Sequence, residues 1–184
     1  MAPDTPADRA EKFLRRAAQF RLGKLLTEQP HPRTANLSQT ARESIPAALK
    51  LLFDVDRDVV ETYRRWAAGG TAGRICTEIV QALRAGGRLF FTGCGATGRL
   101  SIQLDSIWRD FWQHRRAEGD PDAARWEDRT VSVMAGGDFA LIRSVEGFED
   151  YAQFGRRQVR DRGLRAGDVL FAITEGGETS FVIG

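Results

Sequence analysis

The sequence predicts an α/β domain built on a doubly wound parallel sheet that is flanked by helices. Three short apolar runs carry this prediction, at residues 88–93, 130–137 and 169–174, and each one ends in or leads into glycines. Longer segments with helical periodicity separate them, and the clearest has Leu100, Leu104, Ile107 and Phe111 on one stripe. Strands that alternate with helices are typical of a parallel sheet joined by right-handed crossovers.

The first 36 residues predict an arm without a core of its own. Residues 1–10 are rich in Pro, Ala and Asp and are expected to be disordered. An amphipathic helix is expected next, with apolar positions Phe13, Leu14, Ala17, Ala18, Phe20 and Leu22. Pro30 and Pro32 predict an extended path from Leu26 to Leu37. We therefore divide the chain into a helix and extended arm, 1–36, and a helical lead-in with an α/β domain, 37–184.

Three helices are expected to lead into the first strand, near residues 39–53, 56–68 and 71–85, because glycine pairs follow the second and the third. Further helices are expected after the first strand and over 148–162. A parallel sheet of only three strands leaves much of its surface uncovered. We therefore expect the chain to be incomplete at its C-terminus, or to be covered by a partner.

The composition argues against several classes of protein. With 27 Lys and Arg against 25 Asp and Glu, the net charge of +2 is too small to indicate a nucleic acid or an anionic membrane as partner. Only Cys76 and Cys94 occur, without the spacing of a metal site, which favours the reducing cytoplasm and no metal. The chain has neither an apolar run of membrane-spanning length nor the apolar core of a signal peptide.

The turn after the first strand is the strongest candidate site. Its sequence Gly93-Cys94-Gly95-Ala96-Thr97-Gly98-Arg99 predicts a tight turn whose backbone N–H groups and following helix N-terminus bind an anion. Thr97 is expected either to cap this helix or to donate a hydrogen bond to a phosphate, and Arg99 to add charge. The glycines also satisfy G-x-G-x-x-G, the dinucleotide-binding pattern, which requires an acidic residue about 20 residues later at the end of the next strand. Here that strand ends in Ala135-Gly136-Gly137-Asp138, well beyond this spacing, which weakens an NAD interpretation without removing it.

A second glycine-rich turn follows the third strand and supplies Gly176, Gly177, Glu178 and Thr179. Two turns at strand ends fit one small phosphorylated ligand that both approach. Glu146, Glu149 and Asp150 come after the second strand and are the candidate carboxylates. Cys94 is either a small buried filler or a reactive thiol, and His31 and His114 receive no role.

Taken together, four blocks resemble the SIS-domain (sugar isomerase) family of the N-acetylmuramic acid 6-phosphate etherases and the glucokinase regulatory protein. They are TEQPHPRTANL, ALRAGGRLFFTGCGATGRL, MAGGDFALIRSVEGFEDYAQFG and AGDVLFAITEGGETSFVIG. The resemblance implies an SIS-type fold, a sugar phosphate bound by the first and third-strand loops, packed subunits or paired halves, and a longer chain. It places Gly95, Thr97, Gly98 and Arg99 in the phosphate loop, and Glu149 as an acid/base residue or a sugar contact.

The sequence departs from the etherase pattern at two positions. Ile107 stands where the other catalytic glutamate is expected, and Gly176 where etherases have a serine. Asp105 is two residues away from Ile107, which turns it to the opposite face of a helix. The regulatory protein shares both departures. We therefore predict a sugar-phosphate-binding, regulator-like protein without cofactor, a homo-oligomer with a possible regulated protein partner. The alternatives are an etherase-like lyase or sugar-phosphate isomerase using Glu149, a dinucleotide-binding protein, and a structural interaction module.

Overall fold

The computed structural model describes residues 5–17 and 22–184, and the chain divides into two compact units, residues 1–63 and 64–184. The predicted division at residue 36 stays a prediction. Within the described part of the chain, no helix combines the length and the hydropathy needed to span a membrane.

The first helix begins earlier than the sequence pattern predicted. Helix α1 spans Pro6–Arg16, so the expectation of disorder up to residue 10 is wrong for residues 6–10. Thr5 caps the helix: its hydroxyl accepts from the Asp8 N–H at 3.2 Å, and the Asp8 carboxylate accepts from the Thr5 N–H at 2.9 Å. This reciprocal capping box, with Pro6 in the first turn, gives a short polar segment a defined start. Ala18 and Phe20 of the predicted helix lie outside the described residues.

The predicted extended path from Leu26 to Leu37 contains two single-turn 3₁₀ helices, Leu26–Glu28 and Pro32–Thr34, and a third, Leu22–Lys24, precedes it. Pro30 and Pro32 do exclude an α-helix, and the backbone is extended at Gln29 and His31. Short tight turns form between these points because they need only local hydrogen bonds. The arm is therefore a chain of turns and not a continuous extended segment.

Two helices follow, but not with the predicted boundaries. Helix α2 spans Leu37–Glu43 and helix α3 spans Ile45–Ala68, so the break lies at Ser44 and not near residue 55. The Ser44 hydroxyl accepts from the Ala47 N–H at 3.3 Å, and Pro46 fits the first turn of α3. Asp54 lies inside α3, where it pairs with Lys50 one turn before it, at 2.9 Å, a contact that supports the helix. Helix α4, Thr71–Arg84, confirms the third predicted helix.

The second unit contains the sheet, and its order is β2-β1-β3 with all strands parallel. Strand β1 is Leu89–Gly93, β2 is Thr130–Met134 and β3 is Val169–Ala172, as the three apolar runs predicted. Helix α5, Gly95–Ala117, and the short α6, Ala123–Glu127, connect β1 to β2. Between β2 and β3 lie α7, Phe139–Ile142, a 3₁₀ turn, Phe148–Asp150, and α8, Ala152–Asp161; α9, Ser180–Ile183, follows β3.

Helices cover both faces of the sheet, which confirms the doubly wound fold class. All residues of the central strand β1 are buried, and neighbouring residues point to opposite faces. Phe91 and Leu89 pack with Leu83 of α4 and with α5 side chains on one face. Phe90 packs on the other face in a second cluster, with Val133 of β2, Phe181 and Val182 of α9, and Phe154 of α8.

A glycine permits the close packing of α8 and α9. A Cβ placed on Gly155 would lie 1.9 Å from the carbonyl oxygen of Phe181. Any side chain at this position therefore meets backbone atoms, which do not rotate away. This approach holds Phe181, only 1% exposed, against the second cluster.

A buried carboxylate joins the amino ends of β1 and β3. The Asp168 side chain is 0% exposed. It accepts from the Arg88 N–H at 2.9 Å and from the Arg165 N–H at 3.1 Å, and the Arg88 guanidinium lies 3.4 Å from it. These three donors satisfy a charge that burial would otherwise disfavour.

Candidate functional site at the carboxyl edge of the sheet

The strand order brings the two predicted loops together at one edge of the sheet. β1 lies between β2 and β3, and all three strands point the same way. Beyond the strand ends, the Ile173 N–H donates to the Thr92 carbonyl at 2.9 Å and the Ala135 N–H donates to the Gly93 carbonyl at 3.0 Å. The first loop, 93–99, and the second loop, 173–179, therefore leave neighbouring strands side by side, as open α/β sites require.

Gly93, Gly95 and Gly98 of the first loop have different structural roles. A Cβ on Gly93 would lie 2.5 Å from the Thr97 carbonyl carbon, and one on Gly98 would lie 2.7 Å from Met134 Cγ. These two glycines let α5 pack closely on the sheet. Gly95 has φ +55°, in the left-handed region, and a Cβ there would meet nothing within 4 Å. The space above Gly95 is open to a ligand.

Thr97 is not the N-cap residue of α5, which is Cys94, but its side chain takes part in a capping box as the third residue of the helix. The Thr97 hydroxyl reaches back to Cys94: it donates to the Cys94 carbonyl at 2.9 Å and accepts from the Cys94 N–H at 3.0 Å. A hydroxyl has one proton to donate. In this arrangement the hydroxyl proton is donated to the Cys94 carbonyl. Thr97 therefore stabilises the turn and has no second proton to donate to a phosphate oxygen.

The exposed positions of the loop are Gly95, Ala96 and Arg99. They lie in the first turn and a half of the 23-residue α5, where backbone N–H groups point away from the helix and the dipole favours negative charge. Arg99 makes no ion pair with any residue the structure describes. Its guanidinium is available to an external anion.

The second loop is held by its two threonines. Thr174 Oγ1 and Thr179 Oγ1 lie 3.0 Å apart, and the Gly177 N–H donates to Thr174 Oγ1 at 3.3 Å. The carboxylate of Glu178 lies over Gly176: a Cβ on Gly176 would be 2.6 Å from its Oε1 and 2.9 Å from its Oε2. Glu178 Oε2 is buried, and no described residue donates a hydrogen bond to it.

Glu149 comes close enough to the first loop to act on it electrostatically. It belongs to the half-buried part of the 3₁₀ turn Phe148–Asp150, whose Phe148 packs into the core. The pKa of the Cys94 thiol is raised above its ordinary value, first by burial and then by the negative charge of Glu149, with smaller effects from Asp150 and Glu146. A raised pKa favours the neutral thiol, which agrees with the interpretation of Cys94 as a filler.

Neither Ile107 nor Asp105 of α5 places a second carboxylate at the carboxyl edge of the sheet. Ile107 is 57% exposed on α5. Asp105 accepts a hydrogen bond from Thr130 Oγ1 and lies 3.3 Å from the Arg109 guanidinium. Thr130 is the first residue of β2, so Asp105 is tied to the amino end of the sheet, away from both loops.

Sequence reasoning missed the contact between Glu178 and Gly176 and the electrostatic link between Glu149 and Cys94. The first follows from loop conformation and the second from tertiary packing, and residue spacing carries neither. The signal that did exist was Gly176 itself, since a residue without a side chain leaves room for a neighbour.

The comparisons with known proteins agree with this architecture. The glucokinase regulatory protein N-terminal SIS domain family matches residues 71–184. An N-acetylmuramic acid 6-phosphate etherase of Prochlorococcus marinus (strain MIT 9303) is 37% identical over 169 residues, covering 88% of this chain and 46% of that etherase. Etherases of Synechococcus sp. (strain CC9605) and Francisella tularensis subsp. holarctica (strain LVS) are 36% and 33% identical, with 46% and 48% of their lengths covered.

This chain thus spans about half the length of the curated relatives it matches. The match with the regulatory protein domain covers every strand and both loops of the site, from α4 to the last residue. The resemblance noted from four sequence blocks is confirmed, and the chain belongs to the SIS-domain family represented by the N-terminal domain of the glucokinase regulatory protein.

Proposed function

We propose that the protein binds a phosphorylated sugar at the carboxyl edge of the sheet and acts as a regulator-like or sugar-phosphate-sensing protein. One observation carries the proposal: the exposed, positively polarised first turn of α5, with Arg99 unpaired among described residues, lies beside the half-buried carboxylate of Glu149. An anion-binding element and a hydrogen-bond acceptor at one edge suit a ligand with a phosphate and hydroxyl groups.

The phosphate is held by the backbone and Arg99. N–H groups at the start of α5 donate to its oxygens, and Gly95 leaves the approach open. Arg99 adds a charge-assisted bond in the fork geometry that phosphate favours. Ala96 contributes its backbone, Gly93 and Gly98 set the packing, and Thr97 fixes the turn. Glu149 accepts hydrogen bonds from sugar hydroxyls.

The second candidate is an enzyme, either an etherase-like carbon–oxygen lyase or an aldose–ketose isomerase, with Glu149 as the base. The names of the relatives favour the lyase. Elimination needs a proton acceptor and a proton donor with different pKa values at one site. Ile107 offers neither, and Asp105 is tied to Thr130. The absence of this second acid supports binding without etherase chemistry.

The test is a calorimetric and thermal-shift titration of the longest natural form of the protein. The ligands are hexose 6-phosphates, fructose 1-phosphate, N-acetylmuramic acid 6-phosphate, inorganic phosphate and NAD. A ligand that binds only the folded state raises its stability, by about 2.7 kcal/mol at a hundredfold excess over its Kd. We expect Arg99→Ala to weaken the binding of sugar phosphates and of inorganic phosphate alike. Arg160 is an exposed arginine on α8, and Arg160→Ala should weaken the binding of neither.

Three results would replace the proposal. Stabilisation by NAD alone would establish the dinucleotide alternative. Release of lactate from N-acetylmuramic acid 6-phosphate, followed by NMR, would establish the lyase, and interconversion of two hexose phosphates the isomerase. No stabilisation at millimolar concentration would contradict sugar-phosphate binding.

Self-association is part of the proposal, and helix α3 supplies the surface. At about 100° per residue, its side chains divide into three faces. Ala48, Leu51 and Val55 are the least exposed face, and Lys50, Arg57 and Glu61 belong to a charged face. Between these faces lie apolar side chains that are 42–68% exposed: Ile45, Leu49, Leu52, Phe53, Val59 and Val60. We call them the α3 apolar face.

A second copy of the chain is the occupant we propose for the α3 apolar face. A standard interface buries about 800 Å² per partner, and six large side chains exposed to this degree supply most of that area. We expect Leu49→Glu with Val59→Glu to turn a dimer into a monomer in sedimentation equilibrium, and Lys50→Gln to leave the dimer intact. A monomeric wild type at about 50 μM would contradict this. A protein partner that reads the bound state, and a cytoplasmic location, stay predictions.

A further inference from the structure

The second loop carries a carboxylate oxygen that is buried and unpaired. Glu178 Oε2 receives no hydrogen bond from any described residue, although its surroundings exclude water from it. Buried polar atoms in native proteins are nearly always paired, and charged ones most consistently. An unfilled acceptor at the edge where a ligand is proposed to bind is therefore the place where we expect a ligand donor to enter.

Gly176 leaves the space that this carboxylate occupies within the second loop. Thr174 and Thr179 hold the two ends of the turn together, with their hydroxyl oxygens 3.0 Å apart. A Cβ on Gly176 would lie 2.6–2.9 Å from the Glu178 carboxylate atoms, so no side chain fits at 176 while Glu178 stays here. The serine that the family resemblance expects at 176 and this placement of Glu178 exclude each other.

This exchange reverses the chemistry of the second loop. A serine hydroxyl donates a hydrogen bond to a phosphate oxygen, whereas an ionised carboxylate only accepts and repels phosphate. The two loops, which are expected to approach one phosphorylated ligand, would therefore contact different parts of it. The first loop takes the anion, and the second loop takes a donor.

We infer that Glu178 is a specificity-determining residue that accepts a hydrogen bond from a hydroxyl or ammonium group on the sugar portion of the ligand. The inference rests on the proposed function and narrows its substrate class. The preferred ligand carries a donor on the part of the sugar that faces the second loop. Inorganic phosphate, which lacks that part, gains nothing from Glu178.

The experiment measures calorimetric Kd values for glucose 6-phosphate, glucosamine 6-phosphate and inorganic phosphate. Glu178→Ala should raise the Kd of at least one of the two sugar phosphates about tenfold, because one good hydrogen bond is lost. The Kd of inorganic phosphate should not rise. Glu178→Gln keeps an acceptor but removes the charge. If Glu178 accepts from a hydroxyl, the Glu178→Gln protein should keep its affinity for glucose 6-phosphate. If Glu178 accepts from an ammonium group, the variant should lose any preference for glucosamine 6-phosphate.

Glu175→Ala is the matched control, because Glu175 is exposed in the same loop and is expected to change none of the three affinities. A thermal midpoint of Glu178→Gln at or above the wild type checks that the loop is intact, since the substitution removes a carboxylate whose Oε2 is buried and unpaired among described residues. Glu178→Ala with wild-type affinity for both sugar phosphates would overturn the inference while leaving the proposed function in place. A wild type that binds none of the three ligands would overturn both.

Discussion

Removing the Thr97 hydroxyl tests whether it shapes the first loop or waits for a ligand. In the structure this hydroxyl makes two hydrogen bonds to the Cys94 backbone, at 2.9 and 3.0 Å. Thr97→Val keeps the side-chain volume but removes both bonds and leaves the Cys94 N–H without this acceptor. At about 0.5–1.5 kcal/mol for each net hydrogen bond, we expect the free energy of unfolding to fall by about 1–3 kcal/mol. Urea denaturation without ligand measures it.

Thr97→Ser is the control, because serine keeps the hydroxyl and loses only a methyl group. We expect it to retain the loop and to stay within about 1 kcal/mol of the wild type. If Thr97→Val unfolds at the wild-type urea concentration but loses sugar-phosphate affinity, the hydroxyl serves the ligand directly, and the reasoning from the two loop bonds is refuted. Equal destabilisation by both variants would also refute it, since the methyl would then matter and not the hydroxyl.

Other substitutions probe the packing and the electrostatics. Gly155→Ala places a Cβ 1.9 Å from the Phe181 carbonyl oxygen and should cost at least about 2 kcal/mol of stability, whereas Gly73→Ala, in an open helix position, should be neutral or stabilising; equal midpoints would contradict the α8–α9 contact. Asp168→Ala leaves two backbone N–H donors without this acceptor, removes the carboxylate partner of the Arg88 guanidinium, and should cost about 3–5 kcal/mol in denaturant unfolding; a loss below about 1 kcal/mol would exclude it as a structural tie. The raised pKa of Cys94 predicts slow alkylation by iodoacetamide near neutral pH and a rate that climbs only above the ordinary thiol range; Glu149→Gln should move that rise to lower pH, and an unmoved profile, read by peptide mass spectrometry, would separate Glu149 from the loop.

The strands and their loops were predictable because local signals agree there. Each strand is a short apolar run followed by glycines, and a parallel topology fixes where the loops emerge. The helical lead-in was less predictable. A break was predicted between residues 53 and 56, but α3 continues through this segment, where Asp54 pairs with Lys50 one turn earlier, and Ser44 and Pro46 supply the actual start of the helix.

The location of the site could be predicted from the sequence, but the role of each residue in it could not. Glycines and Thr97 indicated the first loop correctly, yet the partner of the Thr97 hydroxyl depends on backbone conformation at Cys94. For Glu178 the decisive fact is a distance of 2.6 Å between a side-chain atom and an absent Cβ. Composition and spacing do not encode such distances.

The strand order also sets how firmly each half of the site is anchored. The first loop leaves β1, which is hydrogen-bonded on both sides and fully buried, whereas the second leaves β3, which is bonded only to β1 within the described sheet and keeps Leu170 42% exposed. Amide hydrogens of β3 should therefore exchange with deuterium much faster than those of β1. A sugar phosphate that contacts both loops would slow exchange most in residues 169–172. Strand β3 would therefore give the clearest exchange signal of ligand binding, although it is the less firmly held of the two strands.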